Sequence, residues 1–126
     1  MNFRNKYMKK ILIVGYGDIG MRLALMSPNC QFIGVSRSKP AHQDNVAFIQ
    51  LDWIKDSILN LPQENISSVV LILKPTSPDV DGYQTGFLEA SQKIIDFLNL
   101  NTNFKKLIIV SSTRVYGLNN GRDITE

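Results

Sequence analysis

The chain has 126 residues, 44% of them hydrophobic and 20% charged, which fits one ordinary globular domain and leaves no room for a second catalytic domain. Fourteen basic side chains face eleven acidic ones, for a formal charge of +3, but Arg4, Lys6, Lys9 and Lys10 crowd the first ten residues, which hold no acid. Past that short arm the body is nearly neutral and lacks the basic face that a phosphate backbone requires, so nucleic-acid binding is disfavoured.

Residues 1–7 read as a leader or disordered arm, with the domain spanning 8–126. The apolar run Ile11-Leu12-Ile13-Val14 does not alternate and is stopped by glycine, the pattern of a strand buried on both faces of a parallel sheet. It is too short for a signal sequence, and no other run approaches the ~20 residues of a membrane span, so neither export nor a membrane partner is expected. Asp18 to Met26 reads as a short helix with Ile19, Leu23 and Met26 as its apolar stripe, closed by Pro28. Cys30 is alone, which excludes an internal disulfide and a thiolate cluster for metal, and the expected compartment is the reducing cytoplasm.

Gln31 to Val35 is a second strand. The polar stretch Ser36 to Asn45, with Pro40 inside it, allows at most a vestigial helix; His42 there stands beside Asp44 with no further metal-ligand candidate nearby, so no metal site is expected. Val46 to Gln50 is a third strand, Trp53 to Leu61 a short helix ended by Pro62, and Ser67 to Leu73 a fourth strand followed by the loop Lys74 to Pro78. The clearest helix starts near Asp79 and runs to about Leu100, since Val80, Tyr83, Phe87, Ala90, Ile94 and Phe97 recur at helical spacing. Leu107 to Val110 is a fifth strand, and the chain from Ser111 onward reads as loop. The alternation implies an α/β fold: a doubly wound, Rossmann-like parallel sheet of about five strands in the order 3-2-1-4-5, with ligands at the carboxyl ends of the strands.

Gly15-Tyr16-Gly17-Asp18-Ile19-Gly20 is G-x-G-x-x-G placed between the first strand and the first helix. Gly15 then makes the tight turn, Gly17 admits a pyrophosphate, Gly20 lets helix and strand approach, and the helix amides face the anion. An unliganded glycine turn is the alternative, and the context favours a dinucleotide. The end of the second strand carries Ser36-Arg37-Ser38-Lys39 and no acid. An arginine fork beside hydroxyls suits a ribose 2′-phosphate, which favours NADP over NAD, against the alternative of solvated loop charges. Asp52 after the third strand either accepts from an adenine amino group or caps the helix that begins at Trp53; both stay open.

At Ser111-Ser112-Thr113-Arg114-Val115-Tyr116-Gly117, directly after the fifth strand, the chain resembles the extended short-chain dehydrogenase/reductase family of NAD(P)-dependent epimerases and dehydratases. The resemblance implies that Gly15, Gly17 and Gly20 hold pyrophosphate, Arg37 the 2′-phosphate and Asp52 the adenine. It implies further that Leu73, Lys74 and Pro75 line the ribose side and that Ser112 is the catalytic hydroxyl that bonds the substrate oxygen. Lys74-Pro75-Thr76-Ser77-Pro78 departs from the usual family loop and looks more like that of the atypical members. The family also uses a Tyr with a Lys four residues later, on one helix face, and none of Tyr7, Tyr16, Tyr83 and Tyr116 has that lysine. Two readings follow. The chain is the NAD(P)-binding N-terminal portion of a longer oxidoreductase acting on a small or sugar-type substrate, or it is a non-catalytic NADP(H)-binding module. If the chain ends at Glu126, the edge after the fifth strand is expected to expose apolar surface and favour a homo-oligomer.

Overall fold

The computed structural model describes residues 9–53, 55–57, 61–74 and 79–110. In chain order these form β1 (Lys10–Val14), α1 (Asp18–Met26), β2 (Gln31–Ser36), β3 (Val46–Gln50), β4 (Ile66–Leu71), a helical tract made of α2 (Val80–Tyr83), a π-helical segment (Gln84–Glu89) and α3 (Ala90–Asn101), and β5 (Lys106–Ile109). All strand pairs are parallel, and the sheet order is β3-β2-β1-β4-β5, as expected from the alternation of strands and helices. Residues 1–8 and 111–126 lie outside the described residues, and with them the leader and the Ser-Ser segment.

β1 occupies the middle of the sheet because its short apolar run has no polar face to offer water. Leu12, Ile13 and Val14 are fully buried, and alternate residues point to opposite faces. Leu12 and Val14 pack with Ile33, Val35, Val69 and Leu71 under α3, whose Ala90, Ile94, Phe97 and Leu98 complete that core. Ile13, Phe32 and Val70 pack on the other face with Tyr16 and Ala24 of the α1 side. α3 and α1 therefore pack on opposite faces of the sheet.

The seating of α1 corrects the expected stripe. Gly20 and Ala24 are the buried positions, Leu23 is half-buried, and Ile19 and Met26 face outward, with Met26 80% exposed. The reason is distance: a Cβ on Gly20 would stand 2.7 Å from the Tyr16 ring and 3.4 Å from Ile13, so the helix lies too close to the sheet for a large side chain at its contact line. Small residues four apart mark that line, and a reading of large apolar residues passes over them. The far end of α1 is tied down by Asn45, whose amide donates to the carbonyls of Ala24, Ser27 and Cys30 at 3.0 to 3.2 Å.

The short helix expected from Trp53 to Leu61 is absent among the described residues of that stretch. A single turn stands there instead. The Asp56 amide donates to the Asp52 carbonyl (2.7 Å), the Asp52 amide to the Asp56 carboxylate (2.8 Å) and the Lys55 amide to the Asp52 carboxylate (3.2 Å). Two aspartates bonding local amides offer the backbone an alternative to a continued helix.

The long helix has the expected extent with a wider middle. Asp79 caps α2 by accepting from the Gly82 amide at 2.7 Å. Across the π-helical segment the consecutive residues Gly86 and Phe87 are both buried, and from there Phe87, Ala90, Ile94 and Phe97 follow the expected stripe. Val80 departs from it, being 73% exposed. β4 ends at Leu71, two residues before the expected limit, and β5 begins at Lys106, one residue before it. β5 lies at the sheet edge, and Leu107, Ile108 and Ile109 are exposed there.

Candidate dinucleotide site

The turn after β1 is built by backbone bonds to the neighbouring strand: the Gly15 and Tyr16 amides both donate to the Val35 carbonyl, at 2.8 and 2.9 Å. Gly15 has φ +96, a left-handed conformation that glycine adopts without strain, and a Cβ there would meet the Ile72 carbonyl. Gly17 is the N-cap of α1, and it supplies no side-chain cap. A Cβ at Gly17 would find nothing nearer than 4.0 Å, so the space over the turn is open. The amides of the first turn of α1 have no intrahelical acceptor and carry the positive end of the helix dipole. A bare turn, an open approach and uncapped amides fit a pyrophosphate.

A cleft of about 390 Å³ opens from this turn. Its walls include Gly15, Tyr16 and Gly17, the end of β2 at Ser36, Arg37 and Ser38, then Asp52, and Lys74 after β4. The structure thus gathers eight of the sequence-derived candidates at the carboxyl edge of the sheet. Arg37, Lys39 and Lys74 line the cleft with Asp52 as the one acid, and none of the three cations has an ion-pair partner among the described residues. The loop holding Arg37 is fixed from behind. Gln50 donates to the Arg37 carbonyl at 2.9 Å, and the Ser36 hydroxyl donates to the Ser38 carbonyl at 2.6 Å.

The remaining candidates stand elsewhere. Asp18 opens α1 and pairs with Arg22 at 3.2 Å, Ile19 is on the outer face of the helix, and Gly20 is in the contact with Tyr16. Leu73 is buried in the core under α3, while its neighbour Ile72 lines the cleft. Pro75 and Ser112 lie outside the described residues. Asp52 accepts from the Lys55 amide in its local turn, where a helix cap was expected, and it also lines the cleft.

Sequence reasoning passed over Trp53, Ile72 and Gly86 as walls of this cleft, and left Lys39 as a loop charge. The signal for Gly86 was a glycine inside a strong helical pattern, which often marks a close approach. The Tyr16 side chain is also not where a phosphate contact would put it. Its ring is buried between Gly20 and Gly34, and its hydroxyl has no hydrogen-bond partner among the described residues. Burial pushes the phenol above its ordinary value. His42 and Asp44 form an exposed pair at 3.1 Å. Among the described residues no three potential metal ligands cluster, and no helix is long and apolar enough to cross a membrane.

Sheet order, glycine turn and cleft together define a doubly wound dinucleotide-type fold. Solved structures share it. A short chain dehydrogenase family protein from Francisella tularensis superposes with a TM-score of 0.59 at 21% identity, over 83% of this chain and 51% of that one. MoeE5 in complex with UDP-glucuronic acid and NAD gives 0.67 at 21% identity, over 86% and 38%. Bordetella bronchiseptica WbmF in complex with NAD+ and UDP gives 0.65 at 18% identity, over 92% and 41%. At these identities the likeness is one of fold, and the expected resemblance to short-chain dehydrogenases holds at that level. The chain spans about half or less of each of these structures. No family model and no curated protein matches the chain.

Proposed function

We propose that this chain is the NADP(H)-binding portion of an oxidoreductase of the extended short-chain dehydrogenase type, working in the cytoplasm on a small or sugar-type substrate. The observation that carries the reading is the cleft at the glycine turn, with three cations on its walls and a single acid. In this reading Gly15 and Gly17 leave room for the pyrophosphate and the α1 amides bond it. Arg37 forks onto the 2′-phosphate with Ser36 and Ser38 beside it, and Lys39 adds charge. Asp52 accepts from the adenine, and Lys74 and Ile72 face the part of the cofactor beyond the pyrophosphate. The nicotinamide, when bound, supplies hydride exchange. Ser112 is assigned the substrate-orienting hydroxyl on the strength of the sequence resemblance. The sugar nucleotides named with MoeE5 and WbmF support a substrate of that class.

A second reading stands beside it, a module that binds NADP(H) without turnover. Isothermal titration with NADPH and NADH tests what both readings share. NADPH is expected to bind more tightly than NADH, and Arg37→Ala to weaken NADPH about tenfold or more, the factor carried by charge-assisted hydrogen bonds to a phosphate. Equal affinity for the two nucleotides in the unmodified protein would remove the 2′-phosphate assignment. No binding of either by folded protein would remove the dinucleotide reading.

A further inference from the structure

A second cleft, of about 420 Å³, lies over β3 on the α1 side of the sheet. Its origin is topological. Parallel neighbours β2 and β3 are joined by residues 37–45 only, which form no helix, whereas such crossovers usually carry one that covers the sheet. The exposed strip of sheet is walled by Val46 and Phe48 of β3, by Pro40 to Gln43 of the crossover, by Gln50 and by Tyr16. Two facts make it more than a gap in the packing. The Tyr16 hydroxyl is buried, the residue being 2% exposed, and has no partner among the described residues, although buried hydroxyls are as a rule hydrogen-bonded. Lys39 also lines the cleft, no carboxylate does, and Lys39 has no ion-pair partner among the described residues.

We propose that this second cleft binds a small monocarboxylate with an aromatic or branched apolar body, its carboxylate accepting from the Tyr16 hydroxyl and facing the Lys39 ammonium. The apolar walls take the body, and the orphan phenol gains the acceptor it lacks. Burial keeps that phenol protonated and a donor through the neutral range. Lys39 is the one lysine or arginine on these walls, which also carry the His42 ring and the Gln43 and Gln50 amides, and one ammonium matches one carboxylate. A phosphate dianion draws on a larger set of donors, such as helix amides or an arginine fork, and those stand in the other cleft. Tyr16, Lys39 and Pro40 border both clefts, so the two ligands would meet across one partition.

Benzoate is the probe, titrated into the full chain without nucleotide and followed by saturation-transfer NMR and calorimetry. Saturable binding of about millimolar strength is expected, with benzyl alcohol, Tyr16→Phe and Lys39→Ala each weaker by about fivefold, the factor of one ordinary net hydrogen bond. Circular dichroism checks that both variants keep the fold. Benzoate that does not saturate, that binds no better than benzyl alcohol, or that binds both folded variants as it binds the unmodified chain overturns the proposal. None of these readouts depends on whether NADPH binds.

Discussion

Gly15→Ala is expected to lower the free energy of unfolding by ~3 kcal/mol or more, read as a fall in the urea midpoint with an unchanged slope. Two costs add at this position. The backbone sits at φ +96, where a side chain is strained, and the new methyl would run into the Ile72 carbonyl, with the carbonyl carbon at 2.8 Å. Neither partner can give way cheaply. The Gly15 amide is bonded to Val35 of β2, and the Ile72 amide to Val14 of β1, so a shift on either side breaks a bond in the middle of the sheet. Against a typical total of ~5–15 kcal/mol, such a loss leaves a small domain near its limit. A loss below ~1 kcal/mol would mean that the turn relaxes away from β4, and that Gly15 is there for ligand access alone.

Gly34→Ala should cost ~1–3 kcal/mol in the unmodified protein and less than half as much when Tyr16 is already alanine. A Cβ on Gly34 would stand 2.6 Å from Tyr16 Cγ and 2.9 Å from Cδ1, and the ring cannot retreat because Gly20 of α1 closes its other side. The glycine in β2 and the glycine in α1 are thus the two halves of one slot for an aromatic ring. Equal costs in the two backgrounds, measured by chemical denaturation as a double-mutant cycle, would show that the slot is not what Gly34 provides. Tyr16→Phe separates ring from hydroxyl: it removes an unsatisfied buried group and is expected to leave stability unchanged or higher. It should also remove one alkaline sensitivity. The folded phenol titrates above the ordinary value of 10.0, so the unfolded chain loses its proton first, and the Tyr16 contribution declines as pH rises from about that value.

The sheet was legible in the sequence because β1, β2 and β4 are short apolar runs that only a doubly covered parallel sheet can bury, and their order follows from the connections. The glycine turn and Arg37 were legible because their spacing along one βαβ unit is enough to bring them to one edge. What escaped reading was set by distances between elements. Gly20 and Ala24 carry little hydrophobicity, yet they seat α1, since the Tyr16 ring fixes how close the helix comes. Gly86 reaches the cleft because a π-helical segment widens the helix at that point, and side-chain periodicity does not reveal such a turn. Among the described residues after Trp53, aspartate side chains bond their own backbone where a helix was expected, a competition that residue spacing alone does not decide.

The central place of β1 has a consequence for how the sheet is assembled. Its bonds to β2 join residues such as Lys10 and Gln31, and β2 meets β3 through pairs such as Phe32 and Val46, all within a stretch that ends at Gln50. Its other edge waits for Ser68 to meet Ile11, a far longer loop to close, and β5 can join only after β4 has docked. As the chain emerges from synthesis, one flank of the sheet can zip up while the opposite edge of its middle strand stays unpaired. Pulse-labelled hydrogen exchange during refolding is expected to protect β2 amides before those of β5, and the reverse order would mean that the helical tract draws the later strands in first.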